Sequence, residues 1–534
     1  MNFINKISDL DSKKLIFICI FLIAIVYINS LDVYFIWDDY YLVVKNENIR
    51  NPNLYNVFKP AYKDANYFRP LQILSYALDY RIWKLNPFGY HLTNIILHSI
   101  NAILLYLLLF VLFNNRIISF LSALLFAVNP IFSSSVTYIS GRADILLLLF
   151  SLIMIRAVFN CVEDNKINWF YFCVSFASLV CTLLSKEIGI ISFILLFLVY
   201  KIINKHFVSG FKNLFFLPYV IAIFLYLYSK LHLILGWHIG GVRLHSFFFG
   251  LLTLVKGLGI YTLLSFWPIH LRMGRSITII NSFMDSWFFI SILILIGLVL
   301  LFIFVSHRNK LSLFGLTWFY LPLLILLFFN YLFAHRGNEL LLPETNLYFS
   351  YPGFLISFFS ILQEIKLKRS AKKILIFFLL CIVPIYAVLT IAENSNWQDE
   401  IRFFERIVEY NKDSKFNYLA YANLGKAYEK NKILKEAEKN YYLAAQTSDR
   451  DPYFYNALAY FYIRQGNFDQ AINILNFSKE LNKRFLQTYL LLGIAYNGLK
   501  QTDNAVYNFQ QAISIDPQNQ IARQYLELLR SNNK

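Results

Sequence analysis

Charged residues are scarce in this chain. Asp, Glu, Lys and Arg make up 15% of its 534 residues, while 58% are hydrophobic, and the mean hydropathy is +0.50. A soluble domain keeps a larger charged share to cover its surface. The scarcity excludes an all-soluble chain and points to lipid as the cover for the excess apolar surface. Cysteine is sparse too. Cys19, Cys161, Cys173, Cys181 and Cys381 all lie in or beside apolar runs, and none forms a CxxC pair. Neither a disulfide framework nor a zinc site is indicated. The net charge of +17 raises the question of a nucleic-acid partner. The tail mixes both signs, however, and basic membrane loops account for much of the excess. No nucleic acid is expected.

What the chain does have is long apolar runs. A membrane span needs about 20 mostly apolar residues. Runs of that kind cover 14–30, 92–113, 117–132, 140–160, 168–184, 187–204, 213–234, 287–306, 311–333, 346–363 and 373–391. Lys13 and Lys14 precede the first and hold the N-terminus inside. A further run, 247–266, carries Lys256 at its centre, which is costly in lipid. Placing it along the membrane surface leaves about 11 spans. With the N-terminus inside, Arg116, Arg156, Lys166, Lys201, Lys205 and Lys212 fall inside, and the surface placement of 247–266 puts the basic loops 307–310 and 366–373 inside as well, as the positive-inside rule prefers. The segments 31–91, 133–142, 235–286 and 334–346, and the C-terminal domain, then fall outside.

From residue 396 the pattern changes. Leu424-Gly425, Leu458-Ala459 and Leu492-Gly493 recur every 34 residues, as do Tyr428, Tyr462 and Tyr496, and Ala437, Ala471 and Ala505. This is the tetratricopeptide period. The predicted fold is all-α: a polytopic membrane domain over 1–395, then an α-solenoid over 396–534 with repeats near 418–451, 452–485 and 486–519. Such arrays offer a concave face for a peptide or partner protein. A scaffold that only caps the membrane domain is the plainer alternative.

The polar residues of the outside segments are the chemical candidates. Asp38 and Asp39 follow the first span directly. A carboxylate there suits taking the proton of an acceptor hydroxyl, although an ion pair explains the acids as well. Arg142 and Lys186 suit a phosphate leaving group through charge-assisted hydrogen bonds. Asp144, Glu187 and Glu344 suit pairing with them, or helix-locking charge networks. His91, Asn94, His98 and Asn101 form a polar stripe on an apolar helix, open to interhelical hydrogen bonding as much as to ligand contact.

In combination these pieces are specific. Trp-Asp38-Asp39-Tyr, Phe-Arg69-Pro-Leu, Asn-Pro-Phe-Gly-Tyr-His91-Leu, Asn129-Pro130 with Ile-Ser-Gly-Arg142-Ala-Asp144, and Leu-Ser-Lys186-Glu187 stand in this order. Tyr261-Thr-Leu-Leu with Trp267-Pro268, and Trp397-Gln-Asp399-Glu, extend the match. The chain resembles the transmembrane and tetratricopeptide-repeat-containing O-mannosyltransferase-like family, which has the GT-C glycosyltransferase architecture. The resemblance implies an inverting transfer of a sugar, often mannose, from a polyprenyl-phosphate or dolichyl-phosphate carrier to a protein hydroxyl on the external or luminal side. It implies Asp38 and Asp39 as the base site. It implies Arg69, His91, Arg142, Asp144, Lys186, Glu187 and Glu344 as the donor phosphate and sugar site. The lipid-linked sugar donor, a protein or peptide acceptor held by the repeats, and the membrane are the implied partners. No cofactor is required, and divalent-metal use varies among such enzymes. Two departures stand out. Ile131-Phe-Ser-Ser-Ser135 is neutral where relatives carry an acid, and Glu344-Thr-Asn-Leu-Tyr348 lacks an Arg, for which Arg336 is a nearby substitute. A bacterial inner membrane is the expected location. The competing function is a non-enzymatic envelope assembly scaffold whose repeats recruit partners.

Overall fold

The structure is a computed structural model that describes residues 10–58, 68–163, 166–203, 212–234, 247–307, 309–332, 339–365, 368–410, 417–448 and 450–532. Arg336, and the loop cations Lys205, Arg308 and Lys366, lie outside the described residues. Two compact units divide the chain, Met1–Asp399 and Glu400–Lys534.

The first unit is built on helices α1 (Ser12–Tyr27), α2 (Pro70–Trp83), α3 (Pro87–Phe113), α4 (Arg116–Ala127), α5 (Arg142–Cys161), α6 (Trp169–Ser185), α7 (Ile190–Ile203), α8 (Lys212–Ile234), α9 (Phe247–Phe266), α10 (Ser286–Ser306), α11 (Lys310–Leu332), α12 (Asn346–Glu364) and α13 (Arg369–Asn394). Asn residues punctuate them. Asn86 accepts from the Phe88 amide at the start of α3, and Pro87 occupies the first helical position, where no amide hydrogen is needed. Asn114 ends α3 at φ 47°, and Asn115 caps α4 by accepting from the Ile118 amide. Helices α11 and α12 approach closely at two glycines. A Cβ on Gly315 would lie 2.7 Å from the Gly353 carbonyl oxygen, and one on Gly353 2.6 Å from that of Gly315. Only glycine at both positions allows this contact, which is how helices associate where lipid supplies no hydrophobic drive.

Among the described residues, seven helices are long and apolar enough to cross a membrane, or eight if α4 and the segment Pro130–Val136, bent by 46°, form one span. The sequence led us to expect about 11. At 17 and 14 residues, α6 and α7 are short of a full crossing. The expectation for 247–266 also changes. α9 is 20 residues long and meets the same length and composition test as the other spans. The Lys256 side chain is not lipid-exposed; it is buried, with Nζ 3.3 Å from the Thr278 carbonyl oxygen and 4.8 Å over the Trp287 ring. Protein dipoles and an aromatic face replace the lipid that made a central lysine look prohibitive.

The polar stripe on α3 is interhelical. Asn94 donates to the Val136 carbonyl at 3.1 Å, His98 meets the Tyr348 hydroxyl at 2.8 Å and the Ala127 carbonyl at 3.1 Å, and Asn101 donates to the Ile145 carbonyl at 2.9 Å. These bonds tie α3 to α4, α5 and α12. A small separate core of Val43, Ile73, Tyr76, Tyr90 and Ile139 packs the first loop and α2 onto the start of α3. That core positions the acid pair.

Two strands, β1 (Ser276–Thr278) and β2 (Glu339–Leu341), pair antiparallel with Ile277 opposite Leu340. They join the segment after α9 to the segment before α12.

The second unit contains α14 (Glu400–Tyr410), α15 (Asn417–Lys430), α16 (Leu434–Thr447), α17 (Pro452–Arg464), α18 (Phe468–Leu481), α19 (Leu486–Gly498), α20 (Thr502–Ile515) and α21 (Gln520–Asn532). Ala437, Ala471 and Ala505 are fully buried, so paired helices meet at methyl groups. The register tyrosines do more than fill gaps. Tyr428 donates to Glu405, and Tyr462 to Glu438 at 2.5 Å. Each hydroxyl bonds a carboxylate on an earlier helix, linking one helix pair to the next.

Candidate active site

The first loop turns at Trp37, whose φ of 49° is left-handed. Asp38 and Asp39 follow in very different surroundings. Asp39 is fully buried. Its Oδ1 accepts from the Ser140 amide at 2.9 Å and from the Ser140 hydroxyl, and its Oδ2 accepts from the Ile36 amide at 3.2 Å. Burial pushes its carboxyl up to about 7, against the pull of those donors and with the help of the neighbouring Asp38 charge. Asp38 is half-buried. Burial raises its carboxyl too, while the Tyr138 hydroxyl and the Arg69 charge pull it down. Gly141 lets the Ser140 turn close on the preceding segment 133–136, since a Cβ there would sit 2.5 Å from the Ser135 carbonyl oxygen. Trp37 stacks on Tyr138 at 6.4 Å between ring centroids, and Tyr138 stacks on Trp397 at 5.3 Å. Two aromatic rings, Trp37 and Tyr138, thus stand beside Asp38, with Trp397 stacked on the second.

Arg69 and Glu187 lie next to this loop. The Arg69 guanidinium donates to Glu187 Oε2 at 3.2 Å, and Lys230 Nζ is 3.6 Å from Glu187 Oε1. Burial would raise the Glu187 carboxyl, but the Arg69 and Lys230 charges prevail and hold it down at about 2. Arg69 thus faces two carboxylates, Glu187 and Asp38, with Lys230 as the second cation, in a partly open patch; the Arg69 side chain is 19% exposed.

Arg142 and His91 were expected at the donor, but both are internal. Arg142 is 0% exposed. Its guanidinium donates to Asn94 Oδ1 at 2.7 Å, the Tyr90 carbonyl at 2.8 Å and the Ser75 hydroxyl at 3.3 Å, and pairs with Asp79 at 2.5 Å. It also lies 4.7 Å over the Tyr76 ring. These contacts lock α2, α3 and α5 together. His91 is buried, with Nε2 3.0 Å from the Val33 carbonyl oxygen, which holds α3 to the first loop. Asp144 and Lys186 form their own pair, with Nζ 2.7 and 2.9 Å from the two carboxylate oxygens.

Glu344 has a different partner set. It accepts from the Arg272 amide at 2.9 Å and from Arg275 at 3.0 and 2.8 Å. Burial raises its carboxyl to about 7 in spite of Arg275. The arginine missing beside Glu344 in sequence is thus met from β1's leading edge. Sequence reasoning missed Asp79, Tyr138, Lys230 and Arg275. Asp79 carried a signal, as an acid within the otherwise apolar stretch of α2; the other three had none without their tertiary partners. Among the described residues, no group of three His, Cys, Asp or Glu side chains is placed to hold a metal ion.

This is the architecture of an all-α, multi-pass membrane protein carrying tetratricopeptide repeats. Residues 75–234 match the dolichyl-phosphate-mannose-protein mannosyltransferase family, and 452–484 and 486–519 match the tetratricopeptide repeat. Human protein O-mannosyl-transferase TMTC1 is 31% identical over 186 residues, which is 31% of this chain and 21% of that protein. Mouse protein O-mannosyl-transferase TMTC3 is 30% identical over 35% of this chain and 21% of that protein. Caenorhabditis elegans protein O-mannosyl-transferase F38B6.6 is 23% identical over 80% of this chain and 62% of that protein. The chain spans about a fifth of the length of the mammalian relatives it matches. Among solved structures, the Arabidopsis OM64 TPR domain aligns with 22% of this chain and 98% of that domain, at 23% identity and a TM-score of 0.21. The chain matches a tetratricopeptide-repeat-containing O-mannosyltransferase-like family.

Proposed function

We propose that this chain is a GT-C-type glycosyltransferase that moves mannose or another hexose from a polyprenyl-phosphate carrier to a protein hydroxyl, with inversion, on the external side of its membrane. The observation that carries the proposal is the split within the acid pair. Asp39 is held by three donors from Ser140 and Ile36, so it positions the loop. Asp38 is the partly open carboxylate, and burial makes it more basic than a solvated one.

In this mechanism the acceptor hydroxyl oxygen attacks the anomeric carbon from the face opposite the phosphate. The carbon–oxygen bond to phosphate breaks, and its electron pair leaves on the phosphate oxygen. The hydroxyl proton passes to Asp38. Arg69, with Lys230 behind it, meets the charge developing on the phosphate. The Trp37–Tyr138 face suits the apolar side of a sugar ring. Asp144 and Lys186 pair with each other and hold the start of α5 to the end of α6. The repeats bind the acceptor or a partner protein, as tetratricopeptide arrays do. We place the chain in a bacterial inner membrane with the repeat domain external; that side rests on helix α9 lying along the surface, which keeps the basic loops 307–310 and 366–373 inside.

The experiment is sugar transfer from labelled polyprenyl-phosphate mannose in membrane vesicles holding the full chain. Asp38→Asn abolishes transfer while leaving the protein folded. Full activity in Asp38→Asn ends the enzymatic proposal and favours a partner-recruiting scaffold. A reporter fused after residue 395 reads as external; a cytoplasmic reading removes the repeats from the acceptor's side.

A further inference from the structure

The ends of four helices line a half-open cavity of about 420 Å³ that the proposed reaction does not use. It lies where α3 ends and α4 begins, against the end of α12 and the start of α13. Helix α3 runs 27 residues from the acid-loop side to this cavity, roughly 40 Å at 1.5 Å per residue. The cavity therefore belongs to the opposite end of the helical unit.

Its walls are apolar, with Phe113, Phe359 and Leu379 among them, and its rim is polar, with Asn114, Asn115 and Lys372. That is the polarity of an amphiphile: a hydrocarbon body below a headgroup. Two helix starts and two helix ends meet at the rim, so their dipoles largely offset. The side-chain charge then decides the sign. Lys368, Lys372 and Lys373 stand at or beside the start of α13, against one carboxylate, Glu364, at the end of α12. Lys372 is exposed, and among the described residues no carboxylate pairs with it. A basic, apolar-walled pocket between transmembrane helices takes anionic lipid headgroups. Its volume lies within the range of small-ligand sites.

We propose that this cavity is a site for one anionic glycerophospholipid, with an acyl chain against Phe113, Phe359 and Leu379 and the phosphate at Lys372. The bound lipid braces the two helix turns, α3–α4 and α12–α13, at the face away from the acid loop. The inference is independent of the proposed reaction, because its readout is binding.

The test is native mass spectrometry of the purified full chain, delipidated and then offered phosphatidylglycerol or phosphatidylcholine vesicle lipid. The expected result is one phosphatidylglycerol retained per chain, at least tenfold over phosphatidylcholine. Lys372→Glu reduces that retention about tenfold or more. Ile376→Trp, which fills the pocket from a half-buried position, abolishes it without changing the thermal midpoint. If Ile376→Trp destabilises the protein, Lys372→Gln serves instead and gives a smaller loss of the same preference. Equal retention of the two lipids overturns the proposal, as does phosphatidylglycerol retention indifferent to the Lys372 substitutions. A dimer that Ile376→Trp dissolves also overturns it, since the occupant is then a second copy of the chain.

Discussion

In the repeat unit the ion pairs lie at the surface. Arg464 pairs with Glu429 while 43% of its side chain stays exposed, and Lys439 pairs with Glu436 with both partners wet. In the membrane unit three pairs are inside: Arg142 with Asp79, Lys186 with Asp144, and Arg275 with Glu344 all keep their side chains at or below 13% exposure, while the cluster of Arg69, Lys230 and Glu187 is partly open. Surface pairs contribute little, because water competes for both charges. Breaking a buried pair leaves a desolvated charge behind and is expensive. The repeats therefore rest on buried methyl and aromatic contacts that recur from one helix pair to the next. The membrane unit adds single, unrepeated polar locks to its apolar core.

Four measurements sharpen or break this contrast. The largest effect is expected at Asp38. Asp38→Asn lowers the sugar-transfer rate by about 10²–10⁴-fold, the range for a general base, with an unchanged unfolding midpoint. A large loss of stability instead would make Asp38 a lock like the others. Next is Arg142→Met, which strands the Asp79 carboxylate and costs on the order of 3–5 kcal/mol, measured as loss of folded protein in a denaturant series. The double variant Arg142→Met with Asp79→Leu recovers part of that loss, since both charges are then gone.

The third effect is a pH slope. Asp39 has a folded-state carboxyl raised to about 7, so the folded chain holds a proton that the unfolded chain releases near pH 4. Stability is greatest at low pH, falls as pH rises from about 4 to about 7, and is level above that, by a few kcal/mol at most. Glu344 is raised to a similar value and adds a slope of the same sign, so Asp39→Asn removes about half of the slope in thermal unfolding followed across that window; a slope left unchanged by Asp39→Asn assigns it to Glu344 alone. The smallest effect is in the repeats. Arg464→Ala costs about 1 kcal/mol or less. A loss of several kcal/mol in an unfolding series of the full chain would show that the repeat pairs act as locks after all.

Much of the repeat unit was legible before any coordinates. A 34-residue period names its own partners, because each helix packs on neighbours a fixed distance away along the chain. The Tyr–Glu bonds were still missed, since Glu405 and Glu438 carry no marker of their own. In the membrane unit, the spacing of His91, Asn94, His98 and Asn101 revealed a stripe but not its partners, which lie up to 250 residues away, as Tyr348 does from His98. Lys256 shows the same limit. Sequence can say that a lysine interrupts an apolar run. It cannot say that Thr278 and Trp287 receive it, and the expected surface placement of that helix rested on their absence.

The acid pair shows the same limit at the scale of two residues. Asp38 and Asp39 are chemically identical and adjacent, so sequence could name the pair and no more. Ser140, about a hundred residues further on, satisfies one carboxylate and leaves the other partly open. What the sequence by itself determined was the helical, membrane-embedded class, the repeat array and the residue types available for chemistry. These follow from local composition and period. What only the tertiary structure decided was which of those polar groups are locked and which are free, because burial and pairing depend on side chains that meet from distant parts of the chain.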